Sequence, residues 1–374
     1  MTARRDKGVS HGTELGDSIV EMYRADHVGS LLRSRELRDD PGNVEIQDKH
    51  VMEVLRRQRD LGFRIFTDGE LRRRGFMTDF YDSVDGLDTT GAIAREWKGG
   101  TTTNRLYGIV VEKVRQKRRL AGHEVDFLKR HAPGDIKMTL PTANQFPAIA
   151  YKRGLSERAY PTYSDFLWDL VPIIKSEIEA LVNDGVRYIQ IDAPRYSYYV
   201  DPKWRQYIHY ELGVDAETAL DEAIRVDNAC LQDAKRDGVT FAIHLCRGNN
   251  QSQWYAEGGY DPIAEKLFNQ LQVDTFLLEY ESERAGTFEP LRYVPRGKNV
   301  VLGLVSSKLP QLENQEDLIR RIDEAGRYVP LENLALSPQC GFASTIEGNL
   351  LTEEEQWRKL QLVVDTSQKV WGTA

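Results

Sequence analysis

Val239-Thr240-Phe241-Ala242-Ile243-His244-Leu245-Cys246 is the stretch on which the reading of this chain turns. Its first residues are strand formers uninterrupted by glycine or proline. It closes on a histidine and a cysteine two residues apart, which a straight strand points to one side. Two soft metal ligands at a strand end need partners from elsewhere. Asp274-Thr275-Phe276-Leu277-Leu278-Glu279 ends in a carboxylate, and Asn333-Leu334-Ala335-Leu336-Ser337 leads into Pro338-Gln339-Cys340. These groups meet only if their strands run the same way and end at one rim, as in a closed barrel.

Working outward, β-like runs are found at 23–28, 63–67, 135–140, 187–192, 239–245, 274–279, 299–305 and 333–337. Amphipathic stretches separate most of them. In 163–184, Phe166, Leu167, Leu170, Val171, Ile174, Ile178, Leu181 and Val182 recur at helical spacing before Asp184-Gly185. Alternating strands and helices describe a parallel sheet covered by helices. The expected fold is therefore α/β, a (β/α)8 TIM barrel with an insertion after the second strand. That insertion lies within 68–134 and holds its own strand-like run, Leu106-Tyr107-Gly108-Ile109-Val110-Val111. With no repeat or linker in view, the expectation is a single catalytic barrel over 1–374, with 1–20 as a flexible arm.

Composition narrows the class. Of 374 residues, 40% are hydrophobic and 29% charged, and no apolar run approaches a membrane span. The first residues, Met1-Thr2-Ala3-Arg4-Arg5, precede no apolar stretch, so neither signal peptide nor anchor is expected. A cytoplasmic protein follows. Three cysteines make no disulfide framework, and Cys230 reads as core. A net charge of −8 argues against nucleic acid. The basic run Lys113 to Arg119 reads as a solvated helix or hairpin arm.

One histidine, two cysteines and a glutamate suit zinc better than magnesium or calcium. Two thiolates and a carboxylate outweigh the charge of Zn²⁺, and an anionic site activates water poorly. It suits a thiol, which loses its proton on coordination yet stays nucleophilic. Alkyl transfer to sulfur is the chemistry expected. The competing reading is a closed zinc staple in a non-catalytic binding barrel. Such staples draw on compact CxxC pairs, whereas these ligands end three separate strands.

Thr67-Asp68-Gly69-Glu70, Ile189-Gln190-Ile191-Asp192-Ala193-Pro194, His244-Leu245-Cys246-Arg247-Gly248-Asn249 and Ser337-Pro338-Gln339-Cys340-Gly341-Phe342 resemble the motifs of the cobalamin-independent methionine synthase family. The likeness runs from about Tyr23 to Thr366 and covers that family's catalytic barrel alone. It implies zinc held by His244, Cys246, Glu279 and Cys340, the same four residues serving as the catalytic set. It also implies that Ser30, Glu70 and Asp192 hold the amino-acid end of a thiol acceptor such as homocysteine. Two carboxylates can bind an ammonium, and a hydroxyl with neighbouring N–H groups a carboxylate. The partners implied are a small-molecule thiol and an alkyl donor, either a methyl-folate or a methyl-corrinoid; a homo-oligomer is compatible with the sequence.

Two departures stand out. The family's strand-seven histidine is replaced by Val305 in Gly303-Leu304-Val305-Ser306-Ser307-Lys308, and the second, N-terminal barrel has no counterpart. Single-barrel relatives include epoxyalkane:coenzyme M transferases; in that alternative Arg247 or Lys308 would bind a sulfonate. The first expectation is a methionine synthase-like methyltransferase, resembling 5-methyltetrahydropteroyltriglutamate–homocysteine S-methyltransferases.

Overall fold

The computed structural model describes residues 22–77, 80–98, 102–103, 108–234 and 238–374. The expected arm at 1–20 lies outside them. Seven parallel strands form one curled sheet in chain order: β1 (Ile65–Phe66), β2 (Asp135–Pro141), β3 (Tyr188–Asp192), β4 (Thr240–Leu245), β5 (Thr275–Glu279), β6 (Asn299–Val305) and β7 (Leu334–Pro338). Sequential neighbours pair throughout, for example Asp192 with His244 and Gly303 with Glu279. This is the expected TIM-barrel plan.

The run at 23–28 behaves differently from the other seven. It forms only a single parallel bridge, Ala25 to Leu336, in which Asp26 N–H donates to Leu336 O and Leu336 N–H to Arg24 O. Polar side chains also hold it. Asp26 points into the barrel, where Lys137 Nζ donates to Oδ1 at 2.7 Å and Tyr188 O–H to Oδ2 at 2.8 Å. Side chains reinforce the single bridge here. Further on, Leu31 N–H donates to Gly69 O, tying this segment to the loop after β1.

Inside the barrel, Ile65, Tyr188, Ala242, Leu277, Val301 and Ala335 form one apolar layer, each from a different strand. The larger core lies between the sheet and the covering helices. Those helices are closed by local chemistry. Tyr163–Asn183 begins with a capping box of Thr162 and Asp165, and Glu353–Trp371 with one of Thr352 and Glu355. Val44–Leu61 is capped by Asn43 and stopped by Gly62 in the left-handed region. Cys230 is buried in the core as expected.

The insertion lies between β1 and β2. Val84–Asp88 pairs antiparallel with Ile109–Gln116, and Arg95–Glu96 with Thr102–Thr103. The basic run is largely an arm of this hairpin. Arg115 and Lys117 pair with Asp85, and Arg119 with Glu177 and Asp184. Its charge is spent within the fold.

Candidate active site

The parallel strands bring their C-terminal ends to one face, and most of the singled-out polar residues gather there. Ser30, Glu70, Asp192, His244, Cys246 and Cys340 line a single cleft. Glu279 is buried beside it but does not line it.

His244, one residue from the end of β4, pairs with Asp192 of β3, and Cys246 follows two residues later. Cys340 comes from the turn after β7. The ligand atoms of these three lie within 4.8 Å of one another. Neither ring nitrogen of the buried His244 has a hydrogen-bond partner. Cys246 and then His244 hold Cys340 well below the usual thiol range against the effect of burial. Cys340 and burial push Cys246 correspondingly up. Burial opposes charge on the His244 imidazole, but Cys340, Asp192 and Glu279 outweigh it and raise its pKa. An unpartnered imidazole facing a thiol–thiolate pair fits a soft, tetrahedral metal such as zinc.

Glu279 stands outside that trio because its oxygens are engaged. Oε2 accepts Arg247 N–H at 2.8 Å, and Oε1 accepts Arg284 Nε at 3.1 Å and Nη2 at 2.9 Å.

The other wall of the cleft is built by close approach. Gly341 passes Ser30 so tightly that a Cβ there would lie 2.0 Å from Ser30 Oγ. At Gly29, φ is +149° and a Cβ would lie 2.7 Å from Glu70 Oε1. Glu70 itself adopts φ +56°, costly for a residue with a side chain and typical of functional turns. That conformation is pinned. Glu70 N–H donates to Asp68 Oδ1 at 2.8 Å, and Arg33 Nη2 donates to Glu70 O at 2.7 Å. Thr139 O–H donates to Glu70 Oε1, while the buried Oε2 has no partner. Burial raises the Asp192 carboxyl to about 7; His244 pulls it down and Glu70 adds to the rise. Gln190 Nε2 donates to Asp192 Oδ1 at 2.7 Å. Two carboxylates therefore face the cleft with acceptor capacity to spare.

Three residues weighed for other roles lie elsewhere. Val305 is packed in the apolar core. Arg247 donates through Nε and Nη2 to Gly258 O and stacks on Tyr260. Lys308 Nζ donates to Gly248 O and Asn249 Oδ1. None of the three lines the cleft.

The outer wall was not foreseen. Arg95 and Trp97 from the insertion, with Tyr198, Trp204 and Tyr255, form an aromatic flank. Arg95 lies over Tyr255 at 4.7 Å, and Trp97 meets the same ring edge-on. The crowded aromatics in Pro194-Arg195-Tyr196-Ser197-Tyr198-Tyr199, directly after a strand end, were the available signal.

The sequence profile described as the cobalamin-independent synthase catalytic domain matches residues 158–369. The chain belongs to the cobalamin-independent methionine synthase family. Among relatives, the uncharacterized proteins YxjH and YxjG of Bacillus subtilis are 37% and 38% identical, each alignment spanning 93% of this chain and 95% of the relative. The methionine synthase of Pyrococcus horikoshii is 23% identical over 94% of this chain and 88% of its own. Among solved structures, a Listeria monocytogenes protein assigned as a vitamin-B12-independent methionine synthase superposes with a TM-score of 0.70 at 29% identity, covering 94% of this chain and 99% of that one. A B12-independent methionine synthase from Shewanella sp. W3-18-1, in complex with selenomethionine, shares the fold at TM-score 0.70 and 18% identity, over 94% and 97% of the two chains. Family membership places this catalytic domain among the methyltransferases. Among the described residues, no helix is long and apolar enough to cross a membrane.

Proposed function

We propose that this member of the family is a zinc-dependent S-methyltransferase whose acceptor is a small amino-acid thiol such as homocysteine. The observation that carries the reading is the convergence of His244, Cys246 and Cys340 on a cleft shared with Glu70 and Asp192. A staple would close its ligands off from any cavity, whereas all three line one. Zinc bound there would lower the pKa of the acceptor thiol while leaving its sulfur nucleophilic.

The chain's own residues do the positioning. Glu70 and Asp192 offer acceptors to an ammonium, and the Ser30 hydroxyl, set against Gly341, offers a donor to a carboxylate. His244, Cys246 and Cys340 would hold the metal. Glu279 is the proposed fourth ligand, close enough for its charge to be felt by His244 and Cys246. The flank of Trp97, Tyr198 and Tyr255 gives the donor ring faces to pack on and keeps water from the reacting atoms. Sulfur bonds to the methyl carbon as the carbon's bond to the donor breaks, the electron pair leaving with the donor.

The sulfonate alternative needs Arg247 or Lys308 free in the cleft, but neither lines it: Arg247 donates to Gly258 O, and Lys308 to Gly248 O and Asn249 Oδ1. The carboxylate pair favours the amino-acid thiol. We place the activity in one barrel domain in the cytoplasm, where three free cysteines remain reduced. The test incubates zinc-loaded protein with homocysteine or coenzyme M, each with methyl-folate, methylcobalamin or an epoxide, and reads product masses. S-methylation of homocysteine is expected. Alkylation of coenzyme M alone would overturn the acceptor assignment.

A further inference from the structure

We infer that Arg284 is a positioning residue that competes with the metal for Glu279 and so keeps the fourth coordination position exchangeable, an inference resting on the zinc reading above. Both Glu279 oxygens are held away from the His244, Cys246 and Cys340 trio, one by Arg247 N–H and the other by the Arg284 fork. Arg284 is fixed in turn. It pairs with Glu281, its guanidinium lies 4.4 Å over the Trp254 ring, and its carbonyl accepts Gly258 N–H at 3.0 Å.

The spacing explains the arrangement. Tyr280 turns from the site to pack on Tyr260 and Phe288, so Glu279 and Glu281 fall on the same side of the chain. A single turn at Glu283–Ala285 brings Arg284 back between them. One guanidinium thus serves two buried carboxylates, and Glu281 Oε2 has no partner.

This sharing leaves Arg284 a partner whichever way Glu279 turns. When Glu279 turns to the metal, Arg284 keeps Glu281 and no buried cation is stranded. When an incoming thiolate takes the metal position, Glu279 returns to a fork already in place. A ligand with such a resting place exchanges; one without it, buried and charged, would stay on the metal. Removing a partner behind a ligand ordinarily costs about ten- to hundredfold in metal affinity; Arg284, as a competitor for Glu279, should act with the opposite sign and a similar size.

The experiment compares the natural chain with Arg284→Met, Glu281→Gln and Glu279→Gln. Zinc release to a colorimetric chelator is timed, and cobalt-substituted protein is titrated with 2-mercaptoethanol, read by its thiolate-to-metal absorption. Arg284→Met should release zinc about tenfold more slowly and need about tenfold more thiol, because Glu279 has lost its alternative. Glu281→Gln should shift both readouts the other way, because the fork then belongs to Glu279 alone. Neither shift should survive in a Glu279→Gln background. Faster release from both variants, as plain structural support predicts, or a shift that persists without Glu279, overturns the inference. Should Arg284→Met fail to fold, Glu281→Gln decides: faster release that disappears in the Glu279→Gln background supports the inference, and release that is unchanged, slower, or still faster without Glu279 overturns it. Absence of stoichiometric zinc from the natural chain would instead sink the zinc reading itself.

Discussion

A methyl group at position 341 would sit 2.0 Å from Ser30 Oγ, and that one distance shows how closely the floor of the cleft is assembled. Residues contributed by strands far apart in sequence touch here, so single substitutions separate their roles. Cys246→Ser and Cys340→Ser should each lose most of the zinc, because a hydroxyl is a much poorer zinc ligand than a thiolate. Metal analysis of the purified variants checks this; full occupancy in both would remove the ligand assignment. Asp192→Asn and Glu70→Gln should keep zinc yet weaken an ammonium-bearing thiol by about ten- to hundredfold, the loss of one charge-assisted hydrogen bond of about 1.5–3 kcal/mol. An acceptor KM unchanged in both would remove them from the ammonium. The gathering of these residues on one cleft was legible in sequence because they stand at or just beyond strand ends, which a parallel barrel brings to one face.

At the scale of elements, legibility depended on how local the determining forces are. The seven ladder strands and the helix over Tyr163–Asn183 follow from apolar period and caps, which the chain carries locally. The run at 23–28 has strand-like residues, yet it keeps a single bridge, and the side-chain bonds of Asp26 that hold it come from Lys137 and Tyr188, more than a hundred residues away. The insertion's place over the cleft was likewise invisible, because Arg95 and Trp97 are fixed by rings more than a hundred residues away. Trp97→Ala should therefore impair use of a bulky methyl donor while leaving thiol binding intact; equal loss for both substrates in steady-state kinetics would contradict this. The helix Ala216–Leu231 carries a pH-dependent contact. Its Asp227 accepts Tyr196 O–H at 2.8 Å, and burial raises the carboxyl to about 7 although that bond opposes the rise. The folded chain keeps a proton there that the unfolded chain has lost, so Asp227's contribution falls as pH rises from about 4 to about 7 and is flat above. The slope in that window is at most about 1.4 kcal/mol per pH unit. Urea unfolding at several pH values should show Asp227→Asn gaining on the natural chain as pH rises. A stability difference independent of pH would rule the coupling out.

Across the whole molecule, among the described residues, a buried charge cluster reinforces the segment that joins the sheet by a single bridge. Ala25 supplies a single bridge to Leu336, and Asp26, Lys137 and Tyr188 form a buried cluster inside the sheet. Lys137 Nζ also donates to His27 O, so one ammonium fastens both the side chain and the backbone of the closing segment to β2. The site depends on this closure, since Ser30 follows within a few residues and must meet Gly341 across the rim. Replacing one member of a buried ion pair strands the other, at about 3–5 kcal/mol, whereas replacing both with apolar groups of similar size is often close to neutral. Lys137→Met should thus cost about 3–5 kcal/mol in chemical denaturation, with Asp26 left buried without a cation. The double variant Asp26→Leu with Lys137→Met should recover much of that stability but not the tether to His27 O. In the double variant Ser30 would then be held less firmly, and thiol affinity should stay reduced after the fold is restored. Denaturation midpoints and thiol binding measured on the same three proteins decide the matter: if affinity returns in step with stability, the closing segment serves the fold alone.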